Sequence, residues 1–80
     1  MRYSVVLLPE EDGRYTVSVP ALPGGTTYGS TVDQALERIR DAIQQYVASL
    51  EAHGEPVPVE PAPAQLATVE VSGKRENSQR

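Results

Sequence analysis

Few side chains in this chain could make or break bonds. Cysteine is absent, which removes a thiol nucleophile, a Cys-ligated zinc site and a CxxC redox pair. The one histidine, His53, has no second histidine to complete a dyad or a metal set. It falls at the predicted end of a helix, beside Gly54, where the negative end of the helix dipole favours a protonated imidazole, so a capping or surface role is expected. Glu10, Glu11 and Asp12 are three consecutive carboxylates, the residue type used for general acid–base work or cation ligation. They sit in a polar turn, where carboxylates ionise in water. Ser18 has no base to activate it. Gly24-Gly25 lacks both a following lysine and the GxGxxG spacing of a phosphate loop. Tyr3, Tyr15, Tyr28 and Tyr46 all fall on faces predicted to be apolar, so they read as core or interface aromatics rather than base-stacking platforms. No residue is predicted to be catalytic, and no cofactor or metal site is expected. Non-enzymatic binding is the inference by exclusion.

Length and composition narrow the setting. Eighty residues make one small domain, which buries only about 60–65% of its unfolded surface. Disulfides, tryptophan and phenylalanine are absent, and self-association is a remaining way for so small a chain to bury more area. A homodimer or homotetramer is therefore expected, through the outer sheet face and the end of the helix. No apolar run reaches the roughly 18–20 residues of a membrane span, and the N-terminus reads as a strand rather than a leader, so a soluble cytoplasmic protein is expected. Residues 1–73 carry four arginines against ten acids, net −6. Such a body repels nucleic-acid phosphates and suits a basic partner; the same charge also keeps a small protein soluble.

Hydrophobic patterning then places the elements. Residues 2–8 are apolar on both faces, as in an interior strand, and Pro9 ends the run. Glu10-Glu11-Asp12-Gly13 is a turn. Residues 14–19 alternate, with Tyr15, Val17 and Val19 on one face, completing a hairpin. Pro20 to Gly25 is a further turn, and Thr26-Thr27-Tyr28 a short third strand. Ser30 is the favoured helix N-cap, with Thr31 and Gln34 as a competing capping box. Val32, Leu36, Ile39, Ile43, Tyr46, Val47 and Leu50 form one stripe of helical period, flanked by Ala35 and Ala42. Gly54 is the expected C′ residue, with Pro56 beyond it. Residues 55–65 form a proline-rich extended connector, residues 66–71 a fourth strand returning beside the first, and residues 72–80 a polar, disordered tail. The predicted domain spans residues 1–71 with an α+β fold in the order β-β-β-α-β, a small antiparallel sheet covered on one face by one long helix.

This order of motifs resembles the HicB-like antitoxin family. The resemblance rests on "DGRYTVSVPALPG" at residues 12–24, "GSTVDQAL" at 29–36 and "GEPVP" at 54–58, and covers about residues 1–60. It implies a partial RNase H-like fold and an antitoxin that binds a HicA-type toxin, a small basic mRNA-cleaving protein. The exposed acids Glu10, Glu11 and Asp12, with Glu37 and Asp41 on the helix, become the candidate partner-binding residues. Many such antitoxins carry a C-terminal DNA-binding module; nothing of that size follows residue 71, so direct DNA binding is not expected. Two rivals remain open. One is a homo-oligomeric scaffold without a toxin. The other is an RNase H-like nuclease, which needs several acids converging on two metal ions, whereas residues 2–8 contain none.

Overall fold

A computed structural model describes residues 1–73. Three strands and one helix follow in chain order: β1 (Val6–Pro9), β2 (Tyr15–Ser18), β3 (Thr26–Gly29) and α1 (Val32–Ala52). The sheet is antiparallel in the order β1-β2-β3. Leu7 faces Val17, and Val17 faces Thr27, across the two ladders. Because strand side chains alternate, Leu7, Tyr15, Val17 and Thr27 share the helix-facing side. Val6, Leu8, Thr16, Ser18, Thr26 and Tyr28 share the outer side.

The core is thin, as the length demands. Val17, Val19, Leu22, Ala35 and Ile39 are buried, with Tyr3, Val5, Leu7, Tyr15, Ile43 and Tyr46 packed around them. Leu22 comes from the β2–β3 loop, which folds back on itself through Leu22 N–H to Val19 O at 3.1 Å and Val19 N–H to Gly25 O at 2.8 Å. The helix is turned about its axis relative to the predicted stripe. Ala35, expected at its flank, is fully buried, while Val32 and Leu36 are 38% and 36% exposed. Gly29 explains the rotation. A Cβ there would lie 2.6 Å from the Ala35 backbone nitrogen, so the helix start approaches the end of β3 as closely as it does only because residue 29 has no side chain.

Both helix ends are capped by the chain itself. Thr31, not Ser30, is the N-cap; its hydroxyl accepts the Gln34 N–H at 3.0 Å. The Gln34 side chain reaches back to the Ser30 N–H at 2.6 Å, one residue earlier than in a standard capping box. At the other end Gly54 takes φ 67°. Gly54 N–H donates to Glu51 O at 3.1 Å and Glu55 N–H to Leu50 O at 2.9 Å, the bonding pattern of a Schellman cap.

The α+β class, the antiparallel sheet and the single long helix agree with the sequence expectation; the fourth strand does not. Residues 66–71 make no ladder, and β1 starts at Val6 rather than at residue 2. The cause lies in the connector. Glu60 takes the Ser4 N–H with its carboxylate at 2.7 Å, so that donor is already used when the chain returns. Pro61 and Pro63 bring no N–H of their own. Ala64 donates to the Ser4 hydroxyl at 3.2 Å instead of to a strand carbonyl. The chain does come back beside the first strand, held by side chains rather than by a ladder. Of the predicted polar tail, residues 74–80 lie outside the described residues.

Candidate functional site

The β1–β2 loop builds the more ordered of the two acidic sites. Glu10 N–H donates to Arg14 O at 2.8 Å and Gly13 N–H to Glu10 O at 3.0 Å, closing a turn in which Gly13 takes φ 90°. Positive φ is the backbone region that glycine enters without a Cβ penalty. Asp12 then accepts the Arg14 N–H at 3.0 Å with one oxygen and the Arg14 Nε–H at 3.0 Å with the other. The Arg14 backbone N–H, followed by its side chain, holds the Asp12 carboxyl below its ordinary value. Glu10 accepts the Thr16 hydroxyl at 2.6 Å. The Arg14 guanidinium lies over the Tyr28 ring, 5.2 Å from its centroid, within cation–π range.

These contacts make a shallow dish at the hairpin end of the outer sheet face, lined by Glu10, Asp12, Arg14, Thr16 and Tyr28. Glu11 lies beside it at the tip, with Glu10 and Asp12 lining a second, more open depression. The three predicted acids are therefore brought together, all exposed. They are unequal in character. Asp12 is committed to shaping the turn, Glu10 is bonded to Thr16, and Glu11 projects from the tip.

Glu37 and Asp41 form a separate acidic site. They lie one turn apart on α1, both exposed, and line neither hairpin depression. Arg38, next to Glu37, donates to Tyr28 O at 3.0 Å and ties the helix to β3. The five acids thus occupy two sites, one on the hairpin and one on the helix. Among the described residues, no group of three or more His, Cys, Asp or Glu converges as metal ligands do. His53 Nδ1 lies 2.7 Å from Ser49 O, inside the last helical turn, in the capping position expected for it.

Three features escaped the sequence reading. The Arg14–Tyr28 stack joins the residue just before β2 to β3, and the pairing of those two strands brings them together. The Glu60–Ser4 contact spans 56 positions, with no local pattern to announce it. Tyr3 OH also reaches back, donating to the Pro58 carbonyl. The proline spacing of the connector was the one available signal, since an extended segment of that length must lie along something.

Comparison with known proteins agrees with this geometry. A family model described as the HicB-like antitoxin of bacterial toxin–antitoxin systems matches residues 3–77. A UPF0150 protein of Thermoplasma acidophilum is 48% identical over 58 residues, covering 72% of this chain and 84% of its own. Antitoxin HicB of Escherichia coli K12 is 44% identical over 43 residues, 54% of this chain; the match spans only 31% of that antitoxin. The crystal structure of the N-terminal domain of Burkholderia pseudomallei antitoxin HicB superposes with a TM-score of 0.71 at 31% identity, covering 78% of this chain and 73% of that one. The small β-β-β-α unit thus shares the fold of that N-terminal domain, and the chain belongs to the HicB-like antitoxin family.

Proposed function

We propose that this chain neutralises a HicA-type mRNA interferase by covering the toxin's basic RNA-binding surface. The acting unit is one domain, residues 1–71, working in the cytoplasm as a homo-oligomer. It does so without a cofactor, a catalytic residue or direct DNA contact. The observation that carries the reading is the hairpin tip, where Glu10, Glu11 and Asp12 stand exposed on a rigid, hydrogen-bonded turn. A preset array of carboxylates meets a basic surface at little ordering cost, and the net −6 of residues 1–73 steers the encounter. Glu37 and Asp41 supply a second acidic contact on α1.

The test uses the small basic protein encoded beside this chain. Calorimetric titration of the two should give a tight complex, and a parallel RNA-cleavage assay should lose activity at the stoichiometry of binding. Absence of binding, with this chain still a stable oligomer, would leave the scaffold reading in its place. RNA cleavage by this chain alone would favour the nuclease.

A further inference from the structure

Two positive charges stand together beside exposed apolar surface. Residues 1–73 hold four arginines, and two of them are engaged. Arg14 pairs with Asp12 and lies over Tyr28, and Arg38 donates to Tyr28 O. Arg2 and Arg40 make no side-chain hydrogen bond or ion pair among the described residues, not even Arg40 with Glu37, three positions before it. Both line one groove of about 330 Å³, Arg2 from the segment ahead of β1 and Arg40 from α1. Val5, Leu36, Ile39 and Ile43 supply its apolar surface.

The groove exists because the apolar stripe of α1 is wider than the face the sheet covers. With Ala35 and Ile39 buried, the far edge of the stripe turns outward, and Val32 and Leu36 remain 38% and 36% exposed. Leu36, Arg40 and Ile43 stand at i, i+4 and i+7, one row along the helix surface that rises about 10 Å.

We propose that this groove docks an acidic amphipathic helix of a partner protein, with its apolar residues against Leu36 and Ile43 and its carboxylates on Arg2 and Arg40. Charge and spacing choose the occupant. A helix lies in an apolar groove through anchors at i, i+3, i+4 and i+7, the spacing that the α1 wall presents. Its carboxylates would meet two guanidinium groups that nothing else engages, and arginine holds a carboxylate through paired donors. A basic partner, such as the one proposed for the acidic sites, meets like charge here. A second copy docked about a two-fold axis would set Arg2 and Arg40 against their own counterparts. The groove shares no lining residue with the depressions at the hairpin tip, so the inference is independent of the toxin reading.

The experiment titrates the full chain, methyl-labelled, with a stapled helical peptide and follows it by NMR. The probe carries leucines at i, i+3, i+4 and i+7 flanked by glutamates; a second peptide carries lysine in place of each glutamate. The acidic peptide should move the Val5, Leu36, Ile39 and Ile43 methyls, although the net −6 of residues 1–73 repels it elsewhere. The lysine peptide should leave those methyls in place. The double variant Arg2→Glu, Arg40→Glu should bind the acidic peptide about ten-fold more weakly and admit the lysine peptide at the same methyls. Both arginines are exposed, so the variant should keep the parent circular dichroism. Unmoved methyls with the acidic peptide, equal movement with both peptides, or unchanged binding to the double variant would each overturn the proposal. NOEs from Leu36 to a second copy of the chain would assign the groove to self-association and overturn it as well.

Discussion

Glu60 holds Ser4 by both of its donors, accepting the backbone N–H at 2.7 Å and the hydroxyl at 2.6 Å. The two residues stand 56 positions apart, so this one carboxylate fastens the proline-rich connector to the start of the sheet. The same bond denies Ser4 N–H to any returning strand. The Glu60 side chain acts beside two further tethers of the connector, Tyr3 OH to the Pro58 carbonyl and Ala64 N–H to the Ser4 hydroxyl.

Glu60→Ala removes both acceptors and leaves the connector tethered by the Tyr3 hydroxyl bond to Pro58 and the Ala64 N–H bond to the Ser4 hydroxyl. Limited proteolysis should cut residues 55–65 several-fold faster than in the parent. The helix and hairpin bonds are untouched, so the far-UV circular dichroism should not change. Equal cutting rates would show that the connector is held by something other than Glu60.

Acid should release the same contact. The Ser4 hydroxyl, followed by its N–H, holds the Glu60 carboxyl below its ordinary value of 4.5. A carboxylate whose folded pKa is depressed contributes stability that is full above the unfolded value. That contribution fades as pH falls through the lower folded value. The Ser4 amide resonance should be constant above about pH 4.5 and titrate below it. Glu60→Gln should abolish that titration. A Ser4 amide in the parent that shifts near neutral pH would contradict the assignment.

Gly29→Ala tests the close approach of helix and sheet. The added Cβ would meet Ala35 N at 2.6 Å and Ala35 Cα at 2.9 Å, both backbone atoms of the first helical turn, which cannot rotate aside. Overpacking of this kind costs about 1–3 kcal/mol, read as a lower urea midpoint at unchanged slope. An unchanged midpoint would mean that the helix start shifts freely.

Ile39→Ala and Leu36→Ala should separate the buried centre of the helical stripe from its exposed edge. Ile39 is 3% exposed at the centre of the core and Leu36 is 36% exposed. Truncating a buried isoleucine costs about 2–5 kcal/mol, whereas Leu36 has less contact to lose. Equal losses in chemical denaturation would show Leu36 to be covered in solution.

Patterns that repeat locally were legible in the sequence. The hairpin followed from the alternation of Tyr15, Val17 and Val19, the helix from its apolar period, and the C-cap from Gly54 before Pro56. The rotation of the helix was not legible, because hydrophobicity ranks Val32 and Leu36 above Ala35. The deciding quantity is the space that Gly29 leaves, and no pattern within the helix records it. Residues 66–71 carry a strand pattern that stays unpaired among the described residues, and the Glu60–Ser4 contact that places the connector beside them spans 56 positions. Of the candidate site, the exposure of all five acids was readable from their turn and helix positions. Their division into two sites needed the sheet register and the placement of α1. The unequal roles of Glu10, Glu11 and Asp12 needed the bonds to Thr16 and Arg14.

That inequality gives the sharpest test of partner binding. Glu11 projects from the tip and spends no hydrogen bond among the described residues on the turn, so Glu11→Lys should leave the melting temperature unchanged. Asp12→Lys breaks the Arg14 contacts at 3.0 Å and alters the loop itself, so it confounds folding with charge. On a basic toxin surface, Glu11→Lys should slow association several-fold at low salt and change dissociation less, because exposed charges act mainly on encounter. The difference from the parent should shrink as ionic strength rises and the Debye length falls to about 8 Å at 0.15 M. Glu37→Lys with Asp41→Lys probes the helix site in the same way, away from the hairpin. Stopped-flow association at two salt concentrations then ranks the sites. A loss confined to Glu11→Lys places the toxin on the hairpin tip, and a loss confined to the helix pair places it on α1. Rates unchanged in both would remove the acidic surface as the means of toxin capture.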